Sequence, residues 1–135
     1  MKKIDILKKL RTSGLRPTKQ RVEIAKFLFE RDKTFHFTVE SLNKLLEKKT
    51  TSKFALATIY NTVHAFKDAG HLSEVEVRGK KTYFDTNVSD HHHFYDSENS
   101  ELIDIDANEI VIQKIPKAPN GKKIKNVEVF INLKN

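Results

Sequence analysis

Over the first seventy residues apolar side chains recur at helical spacing, and just after Gly70 the period changes to two. Ile4, Leu7 and Leu10 form one helical stripe, closed by Ser13-Gly14. Arg16-Pro17-Thr18 opens a second helix, with Pro17 suited to a first turn, Thr18 to capping, and Val22, Ala25 and Leu28 inward. Phe35-His36-Phe37 reads as a loop or short turn. Thr38 can cap a third helix with Val39, Leu42, Leu45 and Leu46 inward and Lys48-Lys49 at its C-terminal end. After the polar link Thr50-Thr51-Ser52-Lys53, a fourth helix carries Leu56, Ile59, Val63 and Phe66 as its apolar stripe and stops at Gly70. Val75 and Val77 then alternate with Glu74 and Glu76, Arg78-Gly79-Lys80 turns the chain, and Thr82-Tyr83-Phe84 returns as a second strand. Helices followed by a small hairpin with a basic tip describe a winged helix-turn-helix.

Past Asp85 the composition shifts. Asn87 to Ser100 is polar and His-rich, and Leu102-Ile103-Asp104-Ile105 is a short strand. Asn108 to Lys117 holds Ile110, Ile112 and Ile115 and is ambiguous between helix and strand. Pro116, Pro119, Asn120 and Gly121 mark a turn, and Val127, Val129, Ile131 and Leu133 alternate as a terminal strand. The expected organisation is a winged helix over 1–84 and a small α/β unit over 85–135, an α+β chain in all. A unit of roughly fifty residues rarely builds an adequate core alone. It is expected to complete its sheet with a second copy, through contacts involving Val127, Val129 and Ile131, giving a homodimer.

Charge separates the same two parts. Through Asp85 there are 19 Lys and Arg against 10 Asp and Glu, a net +9; from Thr86 onward there are 6 against 8, a net −2. A basic part joined to a mildly acidic one suggests a polyanion-binding module attached to something else. No apolar run approaches a membrane span. The start, Met1-Lys2-Lys3-Ile4-Asp5, lacks a signal-peptide core and cleavage site, so the chain is expected in the cytoplasm. With no cysteine, disulfides, zinc fingers and thiol chemistry are excluded.

Two groups of residues carry chemistry. A helix that reads the major groove needs short polar groups for base edges and an aromatic or methyl group for thymine. Ala57, Thr58, Tyr60 and Asn61 on the fourth helix fit that need, while Arg16, Lys19 and Arg21 before and on the second helix, with Lys80 and Lys81 on the wing, suit phosphates. The other group is Asp90-His91-His92-His93. On an extended segment His91 and His93 project to one side, roughly 6–7 Å apart, and His92 to the other. Asp85 and Asp104 can complete a mixed nitrogen and oxygen set for zinc, iron or manganese. His36, His64 and His71 are weaker candidates on spacing alone. An enzyme using the His/Asp cluster is disfavoured by the lack of a separate base or nucleophile motif, and a storage protein by the recognition-helix face.

Gly14-Leu15-Arg16-Pro17-Thr18-Lys19-Gln20-Arg21, Ala57-Thr58-Ile59-Tyr60-Asn61-Thr62-Val63 and Lys81-Thr82-Tyr83-Phe84-Asp85 followed by Asp90-His91-His92-His93 resemble, in order, segments of the ferric uptake regulator superfamily. The resemblance runs roughly from Leu7 to Leu133 and is greatest to the iron response regulators. It implies a regulator of iron and haem genes that binds double-stranded, palindromic operator DNA as a homodimer. It also implies a regulatory metal site of His36, Asp85, His91, His93 and Asp104, base contact by Tyr60, and a haem response through His91, His92 and His93. A peroxide-, zinc- or manganese-responsive repressor is the alternative on the same scaffold. The usual C-x-x-C pair reads here as Asp96 and Asn99 and a second cysteine pair is missing, so the four-cysteine structural zinc is expected to be absent.

Overall fold

The structure, a computed structural model, describes residues 3–77 and 79–135. Met1 and Lys2 of the start, and Arg78 of the wing turn, lie outside the described residues. The chain divides into two compact units, Met1–Val88 and Ser89–Asn135. The division falls four residues after the expected one, because Asp85 closes a strand of the first unit, in register with His36 and Ser73.

Four helices build the first unit: α1 (Ile6–Thr12), α2 (Lys19–Phe29), α3 (Val39–Lys49) and α4 (Leu56–Asp68). Local chemistry sets their starts. Asp5 accepts from the Lys8 N–H, Thr18 from Arg21, and Thr38 from Ser41, whose own hydroxyl accepts from the Thr38 N–H to close a capping box. Gly70 follows α4 at φ +86°, letting the His71 N–H bond back to the Phe66 carbonyl and the Gly70 N–H to Lys67, the Schellman closure. Ile6, Leu10, Ile24, Leu28, Leu42, Leu46, Ile59, Val63 and Phe66 pack into one core.

Three short strands complete this unit: β1 (His36–Phe37), β2 (Ser73–Glu76) and β3 (Thr82–Asp85), ordered β1-β3-β2 and all antiparallel. The expected loop at Phe35–Phe37 is thus partly a strand, drawn extended by its ladder with Phe84 and Asp85. Val77 falls outside β2. Two stripe positions also differ. Leu7 is exposed and Ile6 takes its place against Leu10, and Leu56 is exposed on the first turn of α4, one turn before the core is reached at Ile59.

The second unit is a sheet of β4 (His92–Asp96), β5 (Glu101–Ile105) and β6 (Phe130–Leu133), ordered β5-β4-β6. β4 runs antiparallel to β5 and parallel to β6. The Asp96 carboxylate accepts from the Glu98 and Asn99 N–H groups and from Asn99 Nδ2, pinning the β4–β5 turn. Ser100 sits there at φ +51°. The helical part expected of this unit reduces to one 3-10 turn, Ala107–Glu109. Among the described residues the following segment forms neither helix nor strand until Phe130. Its isoleucines mix a strand spacing, Ile110 to Ile112, with a helical one, Ile112 to Ile115, and Pro116 and Pro119 withhold backbone donors. The terminal strand begins at Phe130 rather than Val127 because the Val129 N–H is taken by His92 Nδ1. The mixed α/β class of the chain therefore rests on helices of the first unit and sheets of both. Among the described residues no helix is long and apolar enough to cross a membrane.

Candidate metal centre and nucleic-acid interface

On α4 the buried arc is Ile59, Thr62, Val63 and Phe66. The opposite arc exposes Ala57, Tyr60 and Asn61, as 100° per residue requires, and Thr58 lies at its edge, half-buried. Tyr60 keeps 52% of its surface exposed. Arg16 and Lys19 are exposed at the start of α2, where the helix dipole also favours an anion. Arg21 spends one guanidinium N–H on the Arg16 carbonyl, 3.2 Å away, fixing the turn between the two. Lys80 and Lys81 stand exposed on the wing beside Gly79, whose φ of +71° shapes its tip. The first unit thus carries an exposed aromatic and amide surface on one helix and exposed cations on α2 and the wing.

Two His/Asp groups lie in the two units. In the first, the β1–β3 register places His36 opposite Asp85, with Nε2 3.0 Å from Oδ2. Asp85 is fully buried, and its Oδ1 accepts from the Asn87 N–H at 2.8 Å. In the second, His93 on β4 pairs with Asp104 on β5, and His91 lies one residue before β4 on the same face. Both Nε2 atoms approach Asp104 Oδ1, at 3.0 Å from His91 and 3.3 Å from His93. His93 is buried, its ring stacked on Phe130 at 5.9 Å.

His91 decides what this second group suits. Its Nδ1 lies 2.6 Å from the Ser89 carbonyl oxygen, which only accepts, so Nδ1 carries the proton. In the neutral form that ligates a metal, Nε2 then carries the lone pair, aimed where Asp104 Oδ1 and His93 Nε2 converge. Two facing lone pairs suit a cation between them. The carbonyl behind the ring is the partner that a metal-binding histidine uses to fix its tautomer. The spacing agrees. Bonds of roughly 2.1 Å keep neighbouring donor atoms roughly 3.0–3.4 Å apart in octahedral or tetrahedral geometry. His92 points away, as the alternation predicts, and its Nδ1 accepts from the Val129 N–H at 3.0 Å.

With fold and groups established, likeness to known proteins is specific. The family model of the ferric uptake regulator family matches residues 12–133. The chain belongs to the ferric uptake regulator family. A ferric uptake regulation protein of Rhizobium leguminosarum bv. viciae is 33% identical over 98 residues, 72% of this chain and 67% of that protein. The peroxide-responsive repressor of Staphylococcus epidermidis is 30% identical over 95 residues, 70% of this chain and 61% of that protein. The chain's match thus spans about two thirds of these relatives' length. The ferric uptake regulator of Pseudomonas aeruginosa, solved with manganese, superposes with a TM-score of 0.70 at 23% identity over 98% of both chains, sharing the fold. Family members are metal-responsive transcription regulators, not enzymes.

Two residues gain weight that spacing did not give them. His64, weak on the sequence, lays its ring against Tyr60 at 4.3 Å between centroids, a contact that their i, i+4 spacing permits. His71 bonds through Nε2 to Ser13 Oγ at 2.8 Å and packs edge-on to Phe29 and Phe66, half-buried at the margin of the first unit's core.

Proposed function

We propose that this chain is a metal-responsive DNA-binding regulator acting as a homodimer on palindromic operator DNA in the cytoplasm. His36, Asp85, His91, His93 and Asp104 serve as ligands of one regulatory ion. The observation that carries this reading is the convergence of His91 Nε2 and His93 Nε2 on Asp104 Oδ1, at 3.0 and 3.3 Å, with His91 Nδ1 held by the Ser89 carbonyl. Family membership supports joining the His36–Asp85 pair to that group. The set is three imidazoles and two carboxylates, which suits iron, manganese or zinc. Ion binding fixes the ligands and biases one arrangement of the winged helices on DNA.

Tyr60, Asn61 and Thr58 read base edges, while Arg16, Lys19, Arg21, Lys80 and Lys81 take phosphates. A haem response, which the resemblance to iron response regulators implies, would use His91, His92 or His93. An ion needs less rearrangement, because His93 is stacked on Phe130 and His92 already accepts from Val129. Peroxide sensing through bound iron is the variant of this reading that the Staphylococcus relative's name supports.

The deciding experiment pairs metal analysis and an absorption spectrum of the purified protein with DNA binding in added Mn²⁺, Fe²⁺, Zn²⁺ or haem. One divalent ion per chain, with DNA affinity that depends on it, supports the metal reading. A Soret band with stoichiometric haem and no ion-dependent DNA binding overturns it in favour of haem.

A further inference from the structure

A row of rings in the first unit ends on Tyr60, and its other members belong neither to the ligand set nor to the DNA contacts. Phe37 and Phe84 are directly paired across β1 and β3, and their rings stack at 5.9 Å. His64 of α4 meets Phe84 edge-on at 5.5 Å, and Tyr60 follows at 4.3 Å from His64. Phe37 and Phe84 are buried in the unit, whereas Tyr60 is exposed. One step along the same two strands stand His36 and Asp85, also directly paired. Successive strand residues project to opposite faces. The ligand pair and the first two rings are therefore the two faces of one short ladder.

This arrangement gives an ion a route to the DNA-facing surface within the winged helix itself. His36 Nε2 and Asp85 Oδ2 are 3.0 Å apart as a hydrogen-bonded pair. An ion taking both replaces the hydrogen between them at about the same donor spacing, so what changes is how firmly two-residue β1 is tied to β3. Phe37 is tied down with it, and a buried stack passes that restraint on because packed rings deform little. Tyr60 lies on His64 beside a cleft of about 290 Å³, lined among others by His64, Phe84, Glu74, Lys81 and Thr82, which leaves its ring space to turn.

We propose that Phe37, Phe84 and His64 couple the His36–Asp85 pair to Tyr60, so that ion binding sets the pose of the base-reading ring. The proposal rests on the DNA-reading role of Tyr60 given above. His64 and Phe84 are positioning residues, acting through Tyr60 and touching no base. Coupling is reciprocal: if the ion raises affinity for the specific site, that site raises affinity for the ion by the same factor.

The test uses the full chain, Mn²⁺, and a DNA site selected from a random pool by the wild-type protein. His64→Ala is expected to lower affinity for the selected site about tenfold, with random DNA bound as before. Its dependence on Mn²⁺ should fall to about twofold or less, and selected DNA should no longer tighten Mn²⁺ binding. Mn²⁺ affinity without DNA should stay at the wild-type value, and His64→Phe, which keeps a ring there, should restore the coupling. Unchanged Mn²⁺ dependence in His64→Ala, with selectivity lost in Tyr60→Ala, overturns the coupling and leaves base reading standing. Selectivity retained in Tyr60→Ala overturns base reading and the coupling with it. If His64→Ala melts too low to assay, Phe84→Leu removes the ring, keeps apolar volume, and is read by the same outcomes.

Discussion

His36 and Asp85 face each other across the β1–β3 ladder, Nε2 to Oδ2 at 3.0 Å, and Asp85 is fully buried. A buried carboxylate is stable only when its oxygens are satisfied, here by the Asn87 N–H and the His36 ring. His36→Ala is expected to cost about 1–3 kcal/mol in urea unfolding without metal. Asp85→Asn, which keeps shape and polarity, should cost less. Both should weaken Mn²⁺ binding in titration. An unchanged urea midpoint for His36→Ala would show that the imidazole serves the ion alone.

The helices were largely legible because their signals are local: the Thr18 and Thr38 caps and the Gly70 stop depend on residues within one turn. What failed depends on distant partners. Periodicity places Leu56 on the apolar side of α4, yet the core begins only at Ile59. β1 has two residues and no strand pattern, and exists because β3 pairs with it. Of the site, the His91/His93 alternation and the opposed His92 follow from strand geometry. The Ser89 carbonyl that fixes the His91 tautomer does not, because any residue supplies a carbonyl.

His71 makes the first unit sensitive to acid. Ser13 Oγ donates to helix α1 carbonyls, so it accepts from His71 Nε2–H. Burial, and then the Lys9 charge, hold its pKa below the usual 6.5. Between that lowered value and 6.5 the unfolded chain binds more protons than the folded one, so stability rises with pH there. Stability should be full above 6.5, fall as pH drops toward the folded pKa, and level off below it. Thermal melts of wild type and His71→Asn from pH 7.5 to 4.5 test this. An identical pH slope in the variant would assign the acid loss elsewhere.

The Asp96–Asn99 turn stands where most of the family is expected to carry cysteine ligands. The Asn99 side-chain amide, then backbone N–H groups of Asn99 and Glu98, hold the Asp96 pKa below 3.8. Its contribution is present above 3.8 and lost as pH falls through the folded value. Chelator at pH 7 is expected to leave the far-ultraviolet spectrum of the second unit unchanged and to lower its melting only by what the ion at His91, His93 and Asp104 contributes. Unfolding by chelator would reveal a structural metal held by other residues.

Association is expected through the second unit. Both β5 and β6 are sheet edges, and Ile103, Val111, Ile131 and Leu133 are exposed on this unit. Exposed apolar side chains beside an open strand edge are a pairing surface. Ile131→Asp should shift sedimentation at micromolar concentration from dimer toward monomer and weaken operator binding with it. Leu7→Asp, an equally exposed change in the first unit, should leave the dimer intact. Dimers persisting in Ile131→Asp would move the interface off β6.

The three adjacent histidines separate by role. His91 and His93 share Asp104 Oδ1 as their Nε2 neighbour, whereas His92 faces away and holds the Val129 N–H. His91→Ala and His93→Ala are each expected to lower Mn²⁺ affinity at least tenfold, because each removes a ligand that no neighbour can replace from its own strand position. DNA binding without the ion should persist, since the reading helix is in the other unit. His92→Ala should bind Mn²⁺ nearly as well as wild type and instead loosen β6, seen as faster hydrogen exchange at Val129 through Leu133. Ligation requires a neutral imidazole, so ion binding should weaken as pH is lowered. Graded and equal losses from all three changes would mean the triplet offers interchangeable exposed ligands, the pattern expected of haem. A triple alanine variant that still responds fully to the ion would remove the cluster from sensing.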